Sequence, residues 1–311
     1  MRPAWSVILF TTLSGAGQGL FLALFAATAV GAPGGEAAVP RAFVAVLVVV
    51  SLALVGAGLV ASIFHLGHPE RGWRAAARWR TSWLSREVIV LPLFMALTAL
   101  FGALHWLGMS QAAFAAGVLA SGACLALYIC TGMIYACLPF LQEWRTPLTP
   151  INFIALGCAS GLSAAAALAA WLHPPLAGAY AGTALVAGAL GYLGRLASLA
   201  RNARLRPKST LASAIGVKHP KIRQIAQGAM GGSFNTREFF HGRTREVVHA
   251  VRWSFLALVF PVPALLQALG PQSAALLGAA FLAQYAGLVA ERWYFFADAK
   301  HPQNLYYQAI A

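Results

Sequence analysis

The chain has 311 residues, of which 59% are hydrophobic and only 10% are charged, and its mean hydropathy is +0.70. Soluble domains carry about 25% charged residues, so this composition excludes a soluble enzyme, a nucleic-acid-binding module and a disordered chain. The sequence therefore predicts an integral membrane protein, and its net charge of +14 needs a separate explanation.

Eight segments are long and apolar enough to cross a hydrocarbon core of about 30 Å. They are too evenly apolar for barrel strands, which alternate every second residue, so α-helices are predicted. The first segment is longer than the apolar part of a secretion signal, and we expect it to be retained. The segments are Trp5–Val30, Ala42–Phe64, Val88–Leu107, Ala112–Leu138, Ile151–Leu172, Leu176–Leu196, Val247–Leu269 and Ala274–Phe296. The predicted fold is an all-α polytopic membrane protein, with residues 1–311 forming a single membrane domain.

The charged residues are distributed very unevenly between the two faces. Eight helices place 21 of the 22 Lys and Arg residues on the same face as both termini, and only Arg41 on the other. Because Lys and Arg accumulate on the cytoplasmic side of membrane proteins, both termini are predicted to be cytoplasmic.

A long cytoplasmic loop is predicted at residues 197–246. It holds Gly231, Gly232, Asn235, Phe239 and Phe240, a composition more typical of a folded contact surface than of a solvated tether. We therefore expect a protein partner to dock on this face. The alternative is that the cationic loops only obey the orientation rule and contact anionic lipid.

The four cysteines, Cys124, Cys130, Cys137 and Cys158, lie in or beside apolar segments without C-x-x-C spacing. They are interpreted as small core residues and not as ligands of zinc or an iron–sulfur cluster, so no metal is expected in this chain. Haem b in a helix bundle usually needs two histidines at matched depth on facing helices. The pairs His105 with His173 and His65 with His249 leave a haem-carrying protein as an alternative.

Candidate chemistry is concentrated in the stretch Ser62–Glu87, which reads SIFHLGHPERGWRAAARWRTSWLSRE. A short amphipathic segment with Arg71, Arg74 and Arg78 at helical spacing is predicted to lie along the membrane surface. The third helix is then expected to start at Ser85. His65 ends the second helix, where a neutral imidazole can hydrogen-bond a quinone carbonyl and exchange a proton near neutral pH.

Three motifs identify a family resemblance. They are FHLGHPERGWRA with TSWLSREV, IYACLPFLQEWRTPLTPINF, and ERWYFFADAKHPQNLYY. These motifs closely resemble the membrane-anchor subunits of dimethyl sulfoxide reductase and of related sulfite:quinone oxidoreductases. The resemblance implies an eight-helix subunit of the bacterial inner membrane that has no metal centre of its own. It also implies an iron–sulfur subunit and a molybdopterin catalytic subunit at the cytoplasmic face, which exchange electrons with ubiquinone or menaquinone through this anchor.

The resemblance also assigns site residues. His65 occupies the quinone-linked position of the family, and Ser82, Arg86 and Glu87 match its SWLSRE segment. We expect Ser82 and Arg86 to shape the quinone pocket with His65, and Glu87 to assist in proton transfer.

Charged residues of the two later motifs are expected mainly to form ion pairs at cytoplasmic helix ends, with a proton path or contacts to the iron–sulfur partner as alternatives. These residues are Glu143, Arg145, Glu291 and Arg292. The loop Asn235–Gly242 departs from the shorter connection of the dimethyl sulfoxide enzymes, which favours the sulfite-oxidising branch with quinone reduction. In the other branch, quinol is oxidised.

A secondary transporter is the alternative from another functional class. Transporters place ionisable residues or interrupted helices near the bilayer midplane. Here no predicted segment carries a charge near its middle, and only Pro261 and Pro263 suggest a broken helix. The sequence therefore favours an electron-transfer anchor over a transporter.

Overall fold

The computed structural model describes residues 3–30, 39–64, 66–219, 221–223, 225 and 242–302. Within these ranges the chain forms α-helices and two short 3-10 helices, Pro69–Arg78 and Pro174–Leu176, and no strand. The α-helices are α1 Trp5–Val30, α2 Arg41–Ile63, α3 Trp83–Trp106, α4 Ser110–Ala136, α5 Leu148–Leu172, α6 Ala177–Asn202, α7 Leu211–Ile215, α8 Arg245–Val259, α9 Pro261–Leu269 and α10 Ala274–Ala297. In the described part of the chain, eight stretches are long and apolar enough to span a membrane, with α8 and α9 together forming one of them. The predicted all-α polytopic membrane protein is confirmed.

Helix α1 lies in the centre of the bundle and packs against α2, α4, α5 and α10. Its crossing with α5 is so close that a Cβ atom on Gly161 would meet the backbone of Gly19 and Leu20 at well under 3.0 Å. The Gly17 carbonyl accepts a hydrogen bond of 2.8 Å from Ser51 on α2. Small residues let membrane helices approach closely, because packing and hydrogen bonds must replace the hydrophobic driving force that lipid does not provide.

The seventh span is interrupted between α8 and α9. Phe260 leaves the helical conformation, with φ of −136° and ψ of −57°, and Pro261 begins the next helix. Proline has no backbone N–H to donate and clashes with the preceding turn, so it breaks the helix at this point. The broken helix suggested by Pro261 and Pro263 is confirmed.

Most charged side chains lie at one end of the bundle, which we call the basic end. It comprises the described residues of 64–87, 137–148, 195–225, 242–252 and 291–302. Most consecutive helices are antiparallel because their connections are short. The start of α8 lies at the same end as the end of α6, because Asn202 and Arg245 line one cleft. Arg201 on α6 also donates to the Gln142 carbonyl at this end, at 3.1 Å. Among the described residues, every Lys and Arg except Arg41 belongs to the basic end. Arg41 donates to the Trp106 carbonyl at the opposite end.

The predicted boundaries differ from the structure by a few residues, and two of the differences bear on the site and the long loop. Helix α3 begins at Trp83 and not at Ser85, because Ser82 is its N-cap and accepts a hydrogen bond from the Ser85 backbone N–H at 3.3 Å. Helix α6 continues beyond the predicted Leu196 to Asn202. The connection from α6 to α8 is therefore shorter than the predicted loop 197–246, and its residues 226–241 lie outside the described ranges.

Candidate functional site

Glu87 lies in the second turn of α3 and points into the protein towards α4. Its side chain is buried, with 4% of its surface exposed. One carboxylate oxygen, Oε1, accepts a hydrogen bond from the Thr131 hydroxyl on α4. A carboxyl group held by a hydroxyl donor at a helix interface can hold or release a proton at a fixed position. Of the predicted site residues, Glu87 is the most enclosed one that the structure describes.

Ser82 and Arg86 lie within two turns of Glu87, but their side chains bind backbone groups. Ser82 caps α3, and Arg86 donates to the carbonyls of Trp79 and Arg80 at 2.9 Å each. The Arg86 guanidinium also lies 4.2 Å from the centre of the Trp83 ring. Both residues therefore fix the chain that leads from the interfacial segment into α3, on a different side of the helix from Glu87.

His65 lies outside the described residues, between Phe64 and Leu66 at the end of α2. Phe64 follows the last residue of α2 and is 82% exposed, and Leu66 is 43% exposed. Of the segment Asn235–Gly242, which favours the sulfite-oxidising branch in the sequence, residues 235–241 also lie outside the described ranges, and Gly242 adopts a positive φ of 71°.

The segment between α2 and α3 forms the 3-10 helix Pro69–Arg78, in which no residue is buried. Trp73 and Trp79 are 72% and 52% exposed, as expected for side chains at a membrane surface. His68 contacts Glu70 at 3.0 Å, and Arg71 lies 3.7 Å from the same carboxylate. The charged side chains of this segment therefore pair with each other at the surface. The two tryptophans stay exposed and can contact the membrane surface.

A buried group of three charged side chains connects α6 to α10. Arg195 Nε lies 2.8 Å from Glu291 Oε1, and Arg292 lies 3.6 Å from Glu291 Oε2. Each of the three is at most 5% exposed. The Arg292 guanidinium also lies 3.6 Å from the centre of the Phe153 ring, which supplies a cation–π contact. The predicted ion pairing of Glu291 and Arg292 is confirmed, and Arg195 is an additional member.

Glu143 lines an open cleft at the basic end, with a volume of about 1030 Å³. The cleft lies between the α4–α5 connection, the end of α6, the start of α8 and the residues after α10, and Arg245, Arg252, Asp298 and Lys300 also line it. Burial raises the pKa of Glu143 above its usual value. The Arg145 carbonyl accepts a hydrogen bond from Arg201 at 3.3 Å, which joins the α4–α5 connection to α6.

Two of the cysteines are buried, and two of the histidines pack against aromatic rings. Cys124 and Cys130 are buried, Cys158 is half-buried and Cys137 is exposed. His105 and His173 pack against Phe101 and Phe43 at centroid distances of 5.9 and 5.5 Å. In the part of the chain that the structure describes, no three His, Cys, Asp or Glu side chains lie together in a way that could hold a metal ion.

Sequence reasoning missed Thr131 and Arg195. Thr131 is a common polar residue within an apolar helix, and nothing in its local sequence marks it as the partner of Glu87. Arg195 carried a stronger signal, because an arginine between apolar residues near the end of a membrane helix needs an anionic or aromatic partner inside the protein.

Comparison with known proteins agrees with the three sequence motifs. The family model described as DMSO reductase anchor subunit (DmsC) matches residues 1–307. A curated relative from Allochromatium vinosum, named as the C subunit of a sulfite dehydrogenase, is 52% identical over 327 aligned positions that cover all of both chains. The chain therefore belongs to the DMSO reductase anchor subunit (DmsC) family and is an anchor subunit of a multi-subunit molybdopterin oxidoreductase.

Proposed function

We propose that this subunit binds quinone at the basic end and transfers electrons between an iron–sulfur subunit and the quinone pool, in sulfite oxidation coupled to quinone reduction. The sulfite assignment is supported by the full-length similarity to a protein named as a sulfite dehydrogenase subunit. The proposal that quinone binds here rests on Glu87, a buried carboxyl group that accepts a hydrogen bond from the Thr131 hydroxyl. Glu87 lies near the start of α3, and His65 precedes the segment that connects α2 to α3.

Quinone reduction takes up two electrons and two protons, so the site needs an apolar slot and a group that delivers protons. His65 and Glu87 are the proton-exchanging groups in this proposal, and His65 also donates to a quinone carbonyl. Ser82 and Arg86 act as positioning residues, because they fix the chain that joins the interfacial segment to α3. Quinone reaches the site from the bilayer across the exposed apolar surface of α3, which includes Leu84 and Ile89.

The basic end is the face to which the iron–sulfur and molybdopterin subunits dock in this proposal. The described cations gather there, which supports a cytoplasmic location for this end and for both termini, in a bacterial inner membrane. The iron–sulfur centre of the docked subunit supplies the electrons to quinone near Glu87, which lies in the second turn from the same end. In a complex that oxidises quinol, the same residues would receive the protons that quinol releases.

The test replaces His65 with Ala and Glu87 with Gln in the assembled complex. Both variants are expected to lose sulfite-dependent quinone reduction and to retain sulfite oxidation with an artificial electron acceptor. His68→Ala is the matched control, because His68 is an exposed histidine three residues away whose partner is Glu70. Quinone reduction at the wild-type rate in His65→Ala would refute the assignment.

A further inference from the structure

The open cleft at the basic end gathers cationic side chains from separate parts of the chain. Its volume is about 1030 Å³, and its walls come from the α4–α5 connection, the end of α6, the start of α8 and the residues after α10. Four of its lining side chains are cationic, and we call them the cleft cations: Lys208, Arg245, Arg252 and Lys300. They belong to three segments that are distant in sequence, so the fold brings them together.

The cleft cations have no anionic partner in the described part of the chain. None of the four side chains lies within 4.0 Å of a carboxylate oxygen there. The Nε atom of Arg252 is also buried and has no hydrogen-bond partner among the described residues. A buried donor that loses its water without gaining another acceptor costs free energy. An anionic ligand in the cleft would supply the acceptor that this guanidinium needs.

Two acidic side chains also line the cleft, but they do not balance the cleft cations. Asp298 accepts a hydrogen bond of 3.2 Å from the Tyr294 hydroxyl. Burial raises the pKa of Glu143, which favours the neutral form of its carboxyl group. With at most two negative charges against four positive charges, the cleft attracts an anion.

The walls of the cleft are held in place by hydrogen bonds. Arg201 at the end of α6 donates to the Gln142 carbonyl in the α4–α5 connection at 3.1 Å. The Gln142 side chain, in the amide orientation that satisfies both of its neighbours, donates to the Arg206 carbonyl at 3.1 Å and accepts from the Lys208 N–H at 3.3 Å. These bonds fix the backbone beside Lys208 before a ligand arrives, which lowers the entropy cost of binding.

The cleft extends into the membrane-spanning part of the protein. Its lining residues Leu199 on α6 and Arg252 on α8 belong to spanning stretches. Arg252 is about two turns, or about 10 Å along the helix axis, from the first residue of α8. Its guanidinium lies 6.0 Å from the centre of the Trp253 ring, and Trp253 is 67% exposed, as expected of a tryptophan at the depth of lipid headgroups. The cleft cation that lies furthest into a span is therefore at headgroup depth.

A ligand that fits this position has both an anionic group and an apolar part. Apolar side chains such as Phe140, Leu199 and Leu205 line the same cleft as the cations. A soluble anion would leave this apolar surface in contact with water. An acidic segment of a docked protein would have to bring carboxylates to the edge of the hydrocarbon, where charged groups are costly. A phospholipid places its phosphate and its acyl chains at the matching depths, and basic pockets between membrane helices bind anionic headgroups.

We propose that the cleft binds one anionic phospholipid of the leaflet at the basic end, with its phosphate between Arg252 and the other cleft cations. The two arginines contact the phosphate oxygens through their planar donor groups, which match a phosphate better than the point charge of a lysine does. Lys208 and Lys300 are exposed and add positive charge around the headgroup. The apolar lining contacts the glycerol and the first acyl carbons. This site shares no residue with the proposed quinone site.

The test measures lipid binding to the assembled complex, purified in a neutral detergent and stripped of bound lipid. Phosphatidylglycerol is added at an ionic strength of about 0.15 M, which screens weak surface attraction, and native mass spectrometry counts the complexes with one bound lipid. Arg252→Gln is expected to weaken binding of this first lipid by about 10-fold. Arg252→Lys keeps the charge and loses the planar donor group, so its affinity should lie between those of the wild type and Arg252→Gln.

A second variant combines Lys208→Gln with Lys300→Gln and changes only exposed side chains, so it tests the cleft even if Arg252→Gln does not fold. It is also expected to weaken binding by about 10-fold. The matched control combines Arg74→Gln with Arg78→Gln, which removes two exposed cations of the interfacial segment outside the cleft. This control lowers the net charge equally and should leave the affinity for the first lipid unchanged.

Competitors identify the class of ligand. Neither inorganic phosphate nor a hexaglutamate peptide, each in large excess, is expected to displace the first phosphatidylglycerol. Displacement by inorganic phosphate would indicate a site for a soluble anion, and displacement by the peptide would indicate an acidic protein segment as the occupant. Either result would overturn the phospholipid site. Wild-type affinity in both cleft variants, or an equal loss of affinity in the control, would overturn it as well.

Discussion

Arg195 and Glu291 form an ion pair of 2.8 Å between α6 and α10, inside the protein. Arg292 is the neighbouring second cation, so the group carries two positive charges for one negative charge. Taking charges out of water is costly, and the cost is repaid only when each charge keeps its partner. The single carboxylate therefore stabilises two buried guanidinium groups.

Replacing Glu291 with Gln is expected to lower the stability of the protein by about 3–5 kcal/mol, because it leaves both arginines buried without an anion. Arg195→Met is expected to cost less, since Glu291 keeps Arg292 as a partner. Thermal unfolding of the detergent-solubilised protein, followed by circular dichroism, measures both changes.

The control for this pair is Glu70→Gln at the exposed contact between Glu70 and Arg71. Exposed ion pairs contribute about 0–1 kcal/mol, so the unfolding temperature should hardly change. An equal loss of stability in Glu70→Gln and Glu291→Gln would contradict the role given to burial.

The crossing of α1 and α5 makes a second prediction. Gly161→Ala is expected to force the two helices apart, because the added Cβ would overlap the backbone of Gly19 and Leu20. Backbone atoms cannot move aside as a flexible side chain can, so we expect a loss of about 1–3 kcal/mol and weaker accumulation of the protein in the membrane.

The matched control is Gly182→Ala on α6, where nothing lies within 4 Å of the added Cβ. This change should leave the unfolding temperature unchanged or raise it slightly, since alanine favours the helix over glycine by about 1 kcal/mol. A similar loss of stability in both variants would show that the close contact of α1 and α5 at Gly161 is not the cause of the destabilisation.

The number and approximate position of the spans could be predicted because a bilayer requires about 20 apolar residues to cross it and forces the backbone to bond within each helix. The break at Pro261 followed from the chemistry of a single residue. The start of α3 could not be predicted in this way, because Ser82 and Ser85 both fit an N-cap. Only the structure shows that Ser82 is the cap, which accepts a hydrogen bond from the Ser85 backbone N–H.

The partners of Glu87 and Glu291 could not be predicted from sequence. Thr131 is 44 residues from Glu87, and Arg195 is 96 residues from Glu291. A membrane helix is apolar on all sides, so periodicity does not show which face turns inward. Such pairings depend on how each helix is rotated against its neighbours, which small residues such as Gly161 decide.

Glu143 at the cleft makes a prediction about pH. Its pKa in the folded protein lies above the usual value of 4.5, because burial penalises the charged carboxylate. Below pH 4.5 Glu143 is protonated in both the folded and the unfolded protein, so burial carries no charge penalty. The free energy of unfolding then falls as the pH rises through the raised pKa of the folded state. Glu143→Gln does not titrate, so its unfolding temperature relative to the wild type should rise as the pH increases from about 4 to 8.

Unfolding of the wild type and Glu143→Gln is followed by tryptophan fluorescence over this pH range. Glu70→Gln serves as the control, because it makes the same substitution at a side chain that is 62% exposed. A constant difference between the wild type and Glu143→Gln at every pH would contradict the raised pKa.

The proposed orientation can be measured with cysteine labelling, because Cys137 is exposed at the basic end while Cys124 and Cys130 are buried. A membrane-impermeant maleimide is expected to leave Cys137 unlabelled in intact cells and to label it in inside-out vesicles. Gln272→Cys, in the turn between α9 and α10 at the opposite end, should show the reverse pattern.

The anchor is expressed without its partner subunits for this measurement, so that docked proteins do not shield Cys137. Cys137→Ser in the Gln272→Cys background then reports the opposite face alone. Labelling of Cys137 from outside the cell would show that the whole bundle has the opposite orientation in the membrane, because consecutive helices are antiparallel. The basic end would then face away from the cytoplasm, against the distribution of Lys and Arg, and the proposed docking of an iron–sulfur subunit at the cytoplasmic side of this end would be wrong.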